Sequence, residues 1–223
     1  MAKIVMIGCN HAGIAAANTI LGSYPGNQLV IFDRNENLSY LGCGTALWIG
    51  RQIKGYESLF YTSQAAMEAK GAALHMETEV ERVDFDAKTV YAKSKDGAAI
   101  EESYDKLILA TGSRPIAPPV PGLDLGNVEF VKLFQDGQKI DKILDDPSIK
   151  NVAVVGACYI GVEITKQKTK TQQQKERERE PVNSGHLWKC IKLFLREVTA
   201  REMGVEKKSV FILSLTQVHD SEQ

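Results

Sequence analysis

The sequence predicts an α/β protein: one parallel-sheet unit carrying a small antiparallel meander, then an incomplete second unit of the same kind. Three observations predict it. Two apolar runs of strand length each break into a glycine turn and a small-residue helix start, at residues 3–15 and 151–163. A carboxylate, Asp33, follows the next apolar run, 20 residues after Gly13. Short alternating segments separated by polar turns lie between the two openings, as strands of a meander do. Together they describe a Rossmann-like dinucleotide-binding domain followed by an incomplete second Rossmann-like unit.

Residues 3–7 form the first strand, and Gly8-Cys9-Asn10-His11-Ala12-Gly13 turns the chain into a helix over about residues 14–21. Ile14, Ala17 and Leu21 share one face of that helix, and Gly22, Pro25 and Gly26 end it. Gln28-Leu29-Val30-Ile31-Phe32 is the second strand and delivers Asp33. A glycine turn opening a helix seats a pyrophosphate on backbone N–H groups. A carboxylate at the end of the neighbouring strand accepts hydrogen bonds from an adenosine ribose. Asn10 stands where G-x-G-x-x-G has its second glycine, and Asn is the non-glycine residue that best tolerates left-handed backbone. The ordinary reading of His11 is a helix-start residue with a solvent partner; its setting inside the phosphate turn favours function.

Cys43, between Gly42 and Gly44, opens a helix-like segment. A helix N-terminus lowers a thiol pKa, and flanking glycines let a cofactor or substrate approach the sulfur. A small buried core cysteine is the alternative. A helix from residue 64 ends near Gly71, and a strand follows through Leu74-His75-Met76, with His75 expected on the surface or in the strand. Residues 79–83, 89–93 and 101–104 form the meander, turning at Lys95-Asp96-Gly97. Residues 104–110 make another buried strand, ending in Thr111-Gly112-Ser113-Arg114-Pro115, whose amides lie where a parallel sheet meets its cofactor.

Pro115, Pro118, Pro119, Pro121 and Gly122 make a stiff connection. Residues 1–120 are therefore expected to be the N-terminal part of the first domain, and residues 121–165 the start of the second. A helix over about residues 135–144 precedes the second opening, Asn151-Val152-Ala153-Val154-Val155-Gly156-Ala157-Cys158-Tyr159-Ile160-Gly161-Val162-Glu163. Cys158 occupies the glycine position of closest approach, placing a side chain where a phosphate oxygen belongs. Residues 166–180 are polar and of low complexity. An amphipathic helix over 187–198 and a strand over 209–218 follow, neither tied to the earlier pattern. Residues 166–223 carry 12 Lys and Arg against 8 Asp and Glu, whereas the preceding residues are net acidic. The expectation is an altered or frameshifted terminus, or a disordered appendage.

A formal charge of −1 across 223 residues argues against nucleic acid, which calls for a basic stripe. No apolar stretch reaches the roughly 18 residues of a membrane span, and Met1 leads straight into a strand, so the expected location is the cytoplasm. Cys9, Cys43, Cys158 and Cys190 lie too far apart for a metal site or a disulfide framework and are expected as reduced thiols, most of them buried.

Gly8-Cys9-Asn10-His11-Ala12-Gly13, Leu38-Ser39-Tyr40-Leu41-Gly42-Cys43-Gly44, Leu59-Phe60-Tyr61, Ala110-Thr111-Gly112-Ser113-Arg114-Pro115 and the 156–163 turn together resemble the flavin-dependent NADH oxidases and NADH peroxidases. These are single-cysteine pyridine nucleotide-disulfide oxidoreductases, and the likeness is strongest to the water-forming NADH oxidases, over about residues 1–165. The resemblance implies FAD, with Gly8, Asn10, His11, Ala12 and Gly13 on its pyrophosphate, Asp33 on its ribose and Ala110, Thr111, Gly112 and Ser113 beside it. It places Val80 near the adenine and Lys132 at a basic flavin-contacting position. Cys43 matches the cysteine that cycles between thiolate and sulfenic acid beside the flavin, and His11 the histidine facing that sulfur. Gly156, Ile160 and Gly161 match the NADH turn, with Tyr159 and Glu163 guarding the nicotinamide.

The implied substrates are NADH and dioxygen, with water as product. NADH peroxidase and coenzyme A disulfide reductase are the enzymatic alternatives, the latter disfavoured by His11, and a non-catalytic flavin-binding fragment is a third. Members of the family run to about twice this length and imply a homodimer. By that comparison the rest of the NADH domain, the returning part of the FAD domain and the dimerisation domain are lacking, so activity is expected to be impaired and a sheet edge left unpaired.

Overall fold

Val5 and Met6 have no exposed surface, so the strand that carries them needs cover on both faces and neighbours on both sides. The computed structural model describes residues 1–115, 117, 119, 121–149, 151–156, 160–164 and 209–213. In it, β1 (Lys3–Ile7) pairs in parallel with β2 (Gln28–Phe32), Ile7 opposite Phe32, and with β7 (Lys106–Leu109), Ile7 opposite Leu109. β3 (Ala72–His75) joins the far side of β2, giving the order β3-β2-β1-β7. On one face, α1 (His11–Ser23) buries Gly13, Ile14, Ala17 and Ile20 among Met6, Leu29, Ile31 and Met67. On the other, Val5, Val30 and Phe32 meet Val90, Ala92 and Tyr104.

The meander is as expected: β4 (Thr78–Asp84), β5 (Thr89–Ser94) and β6 (Ala99–Ser103), antiparallel in chain order, with a bulge between Val80 and Arg82. α3 (Gln64–Ala69) starts at Ser63, whose hydroxyl accepts the Ala66 N–H at 3.2 Å. α1 begins at His11, earlier than the apolar pattern shows, and continues through Gly22; Ile20, not Leu21, holds its fully packed position. β7 departs from expectation more. It is not buried, and Leu109 is 59% exposed, because among the described residues β7 pairs only with β1 and forms the sheet edge.

Two compact units divide the chain, the first made of Met1–Leu41 and Tyr56–Gly112. The second takes Gly42–Gly55 and the described residues from Ser113 onward. The proline-rich connection thus falls within the second unit, and the Cys43 segment leaves the first. In the second unit α2 (Thr45–Ile49) packs on α4 (Phe134–Asp145), where Gly137 is required: a Cβ there would lie 2.7 Å from the Trp48 ring. The Asp136 carboxylate caps α4 by accepting the Lys132 and Leu133 N–H groups at 2.9 and 2.7 Å.

The second parallel sheet holds β8 (Val128–Phe130), β9 (Asn151–Val155) and β10 (Ser209–Leu213) in the order β8-β10-β9. This corrects the expectation that the 209–218 strand is untied to what precedes it. β10 is the central strand, with Leu213 opposite both Val155 and Phe130. The long polar interval hid this pairing, since strand registry leaves no periodic mark in the sequence between partners. β8, only three residues long, was not anticipated. The 187–198 helix and Cys190 lie outside the described residues, among which no helix is long and apolar enough to cross a membrane.

Candidate functional site

The first turn is built by its glycines. Gly8 has φ +102°, a region costly for any other residue, and a Cβ on it would strike the Ala110 carbonyl and stand 3.3 Å from the Thr111 nitrogen. A Cβ on Gly13 would fall far inside contact with the Gly8 carbonyl, because α1 crosses back over the turn. Asn10, by contrast, is extended at φ −106°, ψ −151°, so replacing the pattern's second glycine introduces no left-handed backbone. Asn10 is the N-cap of α1 and makes no side-chain cap; its carbonyl accepts the Ile14 N–H at 2.7 Å, and no acid stands in the first turn. The opening N–H groups, at His11, Ala12 and Gly13, therefore carry the helix's partial positive charge without a side-chain acceptor.

Asp33 fastens this turn. Its Oδ2 accepts the Cys9 N–H at 2.7 Å, and its Oδ1 accepts the backbone and side-chain N–H groups of Asn35 at 2.8 and 2.9 Å. Those bonds use three of a carboxylate's four lone-pair sites, leaving one on Oδ2 for a single hydroxyl. Only 8% of Asp33 is exposed. Cys9 is fully buried; burial, then the nearby Asp33 charge, pushes its thiol up to about 12, so it is an unreactive core group. Ala110, whose N–H bonds the Ile7 carbonyl at 2.8 Å, brings Thr111 and Gly112 to the carboxyl end of β7 beside Gly8. Gly112 has φ +68° and open space around it. Val80 sits at the meander's bulge and packs against the Val5–Phe32 core.

His11 stacks on Tyr61, with ring centroids 5.8 Å apart and planes inclined by 22°. Partial burial, then Cys9, raises the Tyr61 phenol above its ordinary range. Neither Tyr61 nor Ser39 stands out in the sequence: both lie inside recognised motifs, but their contacts are tertiary.

In the second unit Cys43 occupies one 3-10 turn, Gly42–Gly44, and is exposed, which overturns the buried-core alternative for this cysteine. Thr45 Oγ1 donates to the Gly42 carbonyl at 2.8 Å and closes the turn. Lys132 is held at its backbone by Asp136, and Ser113 is exposed. Gly156 has φ +114°, and a Cβ on Gly161 would strike the Gly156 carbonyl, repeating the first turn. Residues 160–164 are helical, with Ile160 packed on the core and Glu163 buried, accepting a hydrogen bond from the Gln52 amide. Gly50 permits this approach: a Cβ there would stand 2.6 Å from the Glu163 carbonyl oxygen. Cys158 and Tyr159 lie outside the described residues. Among the described residues, no group of His, Cys, Asp and Glu could hold a metal ion.

The sequence model of the family described as pyridine nucleotide-disulphide oxidoreductase matches residues 2–198, beyond the motif-based limit near 165. The chain is 57% identical over 164 residues to a protein named NADH oxidase from Lactococcus lactis, covering 74% of this chain and 37% of that protein. It is 49% identical over 178 residues to a protein of the same name from Streptococcus pyogenes, covering 74% and 39%. The chain thus spans under two-fifths of the length of these relatives. Among solved structures it is similar to the water-forming NADH oxidase from Lactobacillus brevis bound to NADH, with TM-score 0.71 and 27% identity, over 98% of this chain and 49% of that one.

Proposed function

From the premise that this chain belongs to the pyridine nucleotide-disulphide oxidoreductase family, we propose that it binds FAD in its first unit and oxidises NADH, reducing dioxygen to water. The observation that carries this reading is the first turn, where an uncapped helix N-terminus and a carboxylate with one remaining lone pair serve the same loop. The first-turn N–H groups of α1 bind the pyrophosphate, Asp33 Oδ2 takes one ribose hydroxyl, and Ala110, Thr111 and Gly112 line the same sheet end. FAD, when bound, supplies the carrier through which electron pairs leave NADH for dioxygen. Gly156 and Gly161 shape the turn for the NADH pyrophosphate, and Glu163 orients the nicotinamide.

Cys43 completes the reduction. Its thiolate attacks one oxygen of hydrogen peroxide, the O–O bond breaks, and sulfur keeps that oxygen as sulfenic acid. The other oxygen leaves as hydroxide and takes a proton from His11 to become water. A further electron pair from NADH, with a proton, returns the sulfur to thiolate and releases the second water.

The purified chain should retain flavin and bleach on anaerobic addition of NADH, with turnover impaired; consumption of two NADH per dioxygen without accumulating peroxide would show instead that its activity is intact. Cys43→Ser should divert product to hydrogen peroxide; an unchanged ratio removes Cys43 from the reaction. Flavin that never bleaches leaves a binding fragment, and failure to retain flavin refutes the reading.

A further inference from the structure

The stack between His11 and Tyr61 is supported by more than two rings. Tyr61 is 46% exposed, yet its backbone is pinned on both sides. The Leu41 N–H donates to the Leu59 carbonyl at 2.7 Å, and Tyr40 and Phe60 form an antiparallel bridge with their rings 5.4 Å apart. Ser39 closes the other end: its hydroxyl donates to the Thr62 carbonyl at 2.8 Å and accepts the Thr62 N–H at 3.1 Å. The Ser39 N–H in turn donates to the Cys9 carbonyl at 3.1 Å, inside the glycine turn. Ser39 does this fully buried and at φ +61°, a left-handed conformation that a non-glycine residue holds only when its surroundings over-determine it. Neighbouring side chains on extended backbone point to opposite faces, so fixing the Phe60 ring against Tyr40 sends the Tyr61 ring the other way, onto His11.

We infer that Tyr61 is a positioning residue: its ring, held by the Ser39 clip, fixes the plane of the His11 imidazole from which the proton is delivered. This rests on the oxidase reading. The aromatic face is the operative part, and the phenol oxygen is dispensable. An offset aromatic pair at this spacing is attractive and restricts rotation of the smaller ring. Imidazole misaligned with its proton acceptor slows transfer without changing how NADH is held.

The test uses the full chain with Tyr61→Leu and Tyr61→Phe. In proton–carbon NMR, with the His11 signal assigned by its loss in His11→Gln, Tyr61→Leu should remove the ring-current displacement of the His11 ring protons, and Tyr61→Phe should restore it. In turnover, Tyr61→Leu should lower kcat about tenfold with KM for NADH unchanged and raise the share of peroxide, while Tyr61→Phe recovers both. An unmoved His11 signal in Tyr61→Leu overturns the stack. A moved signal with unchanged peroxide share overturns the role in proton delivery, and a phenylalanine variant that behaves like leucine overturns the assignment to the ring. A wild-type chain that forms no water defeats the oxidase reading instead, and the NMR comparison then judges the stack alone.

Discussion

Gly8 and Gly156 take similar backbone angles, φ +102° and +114°, and in both turns the glycine five positions later is excluded from carrying a side chain by the first glycine's carbonyl. The preceding strands are also paired alike, Ile7 opposite Phe32 and Val155 opposite Leu213. The difference lies one residue further along the chain, where Phe32 is followed by Asp33 and Leu213 by Ser214. Glycine spacing therefore builds the turn, and the carboxylate proposed to recognise a ribose is an independent choice made at the end of the neighbouring strand. The first turn has both; the second shares the geometry of its two glycines, and the chain position after its neighbouring strand holds serine in place of a carboxylate.

Breaking the shared half should have the largest effect. Gly13→Ala should cost about 2–4 kcal/mol in denaturant unfolding and abolish flavin retention, since the carbonyl it meets is backbone and cannot swing away. Gly161→Ala should cost a similar amount, about 2–4 kcal/mol, in the second unit while flavin stays bound; loss of flavin there would show that the two turns are not separable.

Removing what only the first turn has comes next. Asp33→Ala leaves the Cys9 N–H without its acceptor and should weaken flavin binding by about 1.5–3 kcal/mol, read as a tenfold to hundredfold rise in Kd by flavin fluorescence.

The buried thiol beside Asp33 adds a pH signature. Unfolded, Cys9 ionises near 9.0; folded, it holds its proton to about 12. Between those values the folded chain binds the extra proton, so this contribution is full below pH 9 and is lost with rising pH, by at most about 1.4 kcal/mol per unit. Cys9→Ala should flatten the alkaline limb of stability against pH; an unchanged slope would remove the thiol as its source.

Much of this contrast was legible in the sequence because it is local. The apolar run, the glycine spacing and Asp33 lie within one βαβ stretch, and local periodicity and turn chemistry report them directly. The place of β10 was not legible, since its partners β8 and β9 lie across a long polar interval and parallel pairing leaves no local pattern. The exposure of β7 escaped for a related reason: Leu107, Ile108 and Leu109 read as a buried strand, and only the sheet order shows which strand lies at an edge. Asn10 shows the limit of a residue-type argument. Its tolerance of left-handed backbone is real but unused, because this loop asks it to be extended. Tyr61 and Ser39 were present in recognisable motifs, yet their effect on His11 arises from a tertiary clip joining residues 9, 39 and 62.

The bond from Cys9 to Asp33 also determines when the first turn becomes ordered. Fixing a residue's backbone costs about 1–2 kcal/mol of conformational entropy. Here that loss occurs as the chain folds, because the acceptor belongs to the chain itself. A nucleotide bound as proposed would meet a loop already held by this bond, so less of its binding energy would be drawn off into ordering.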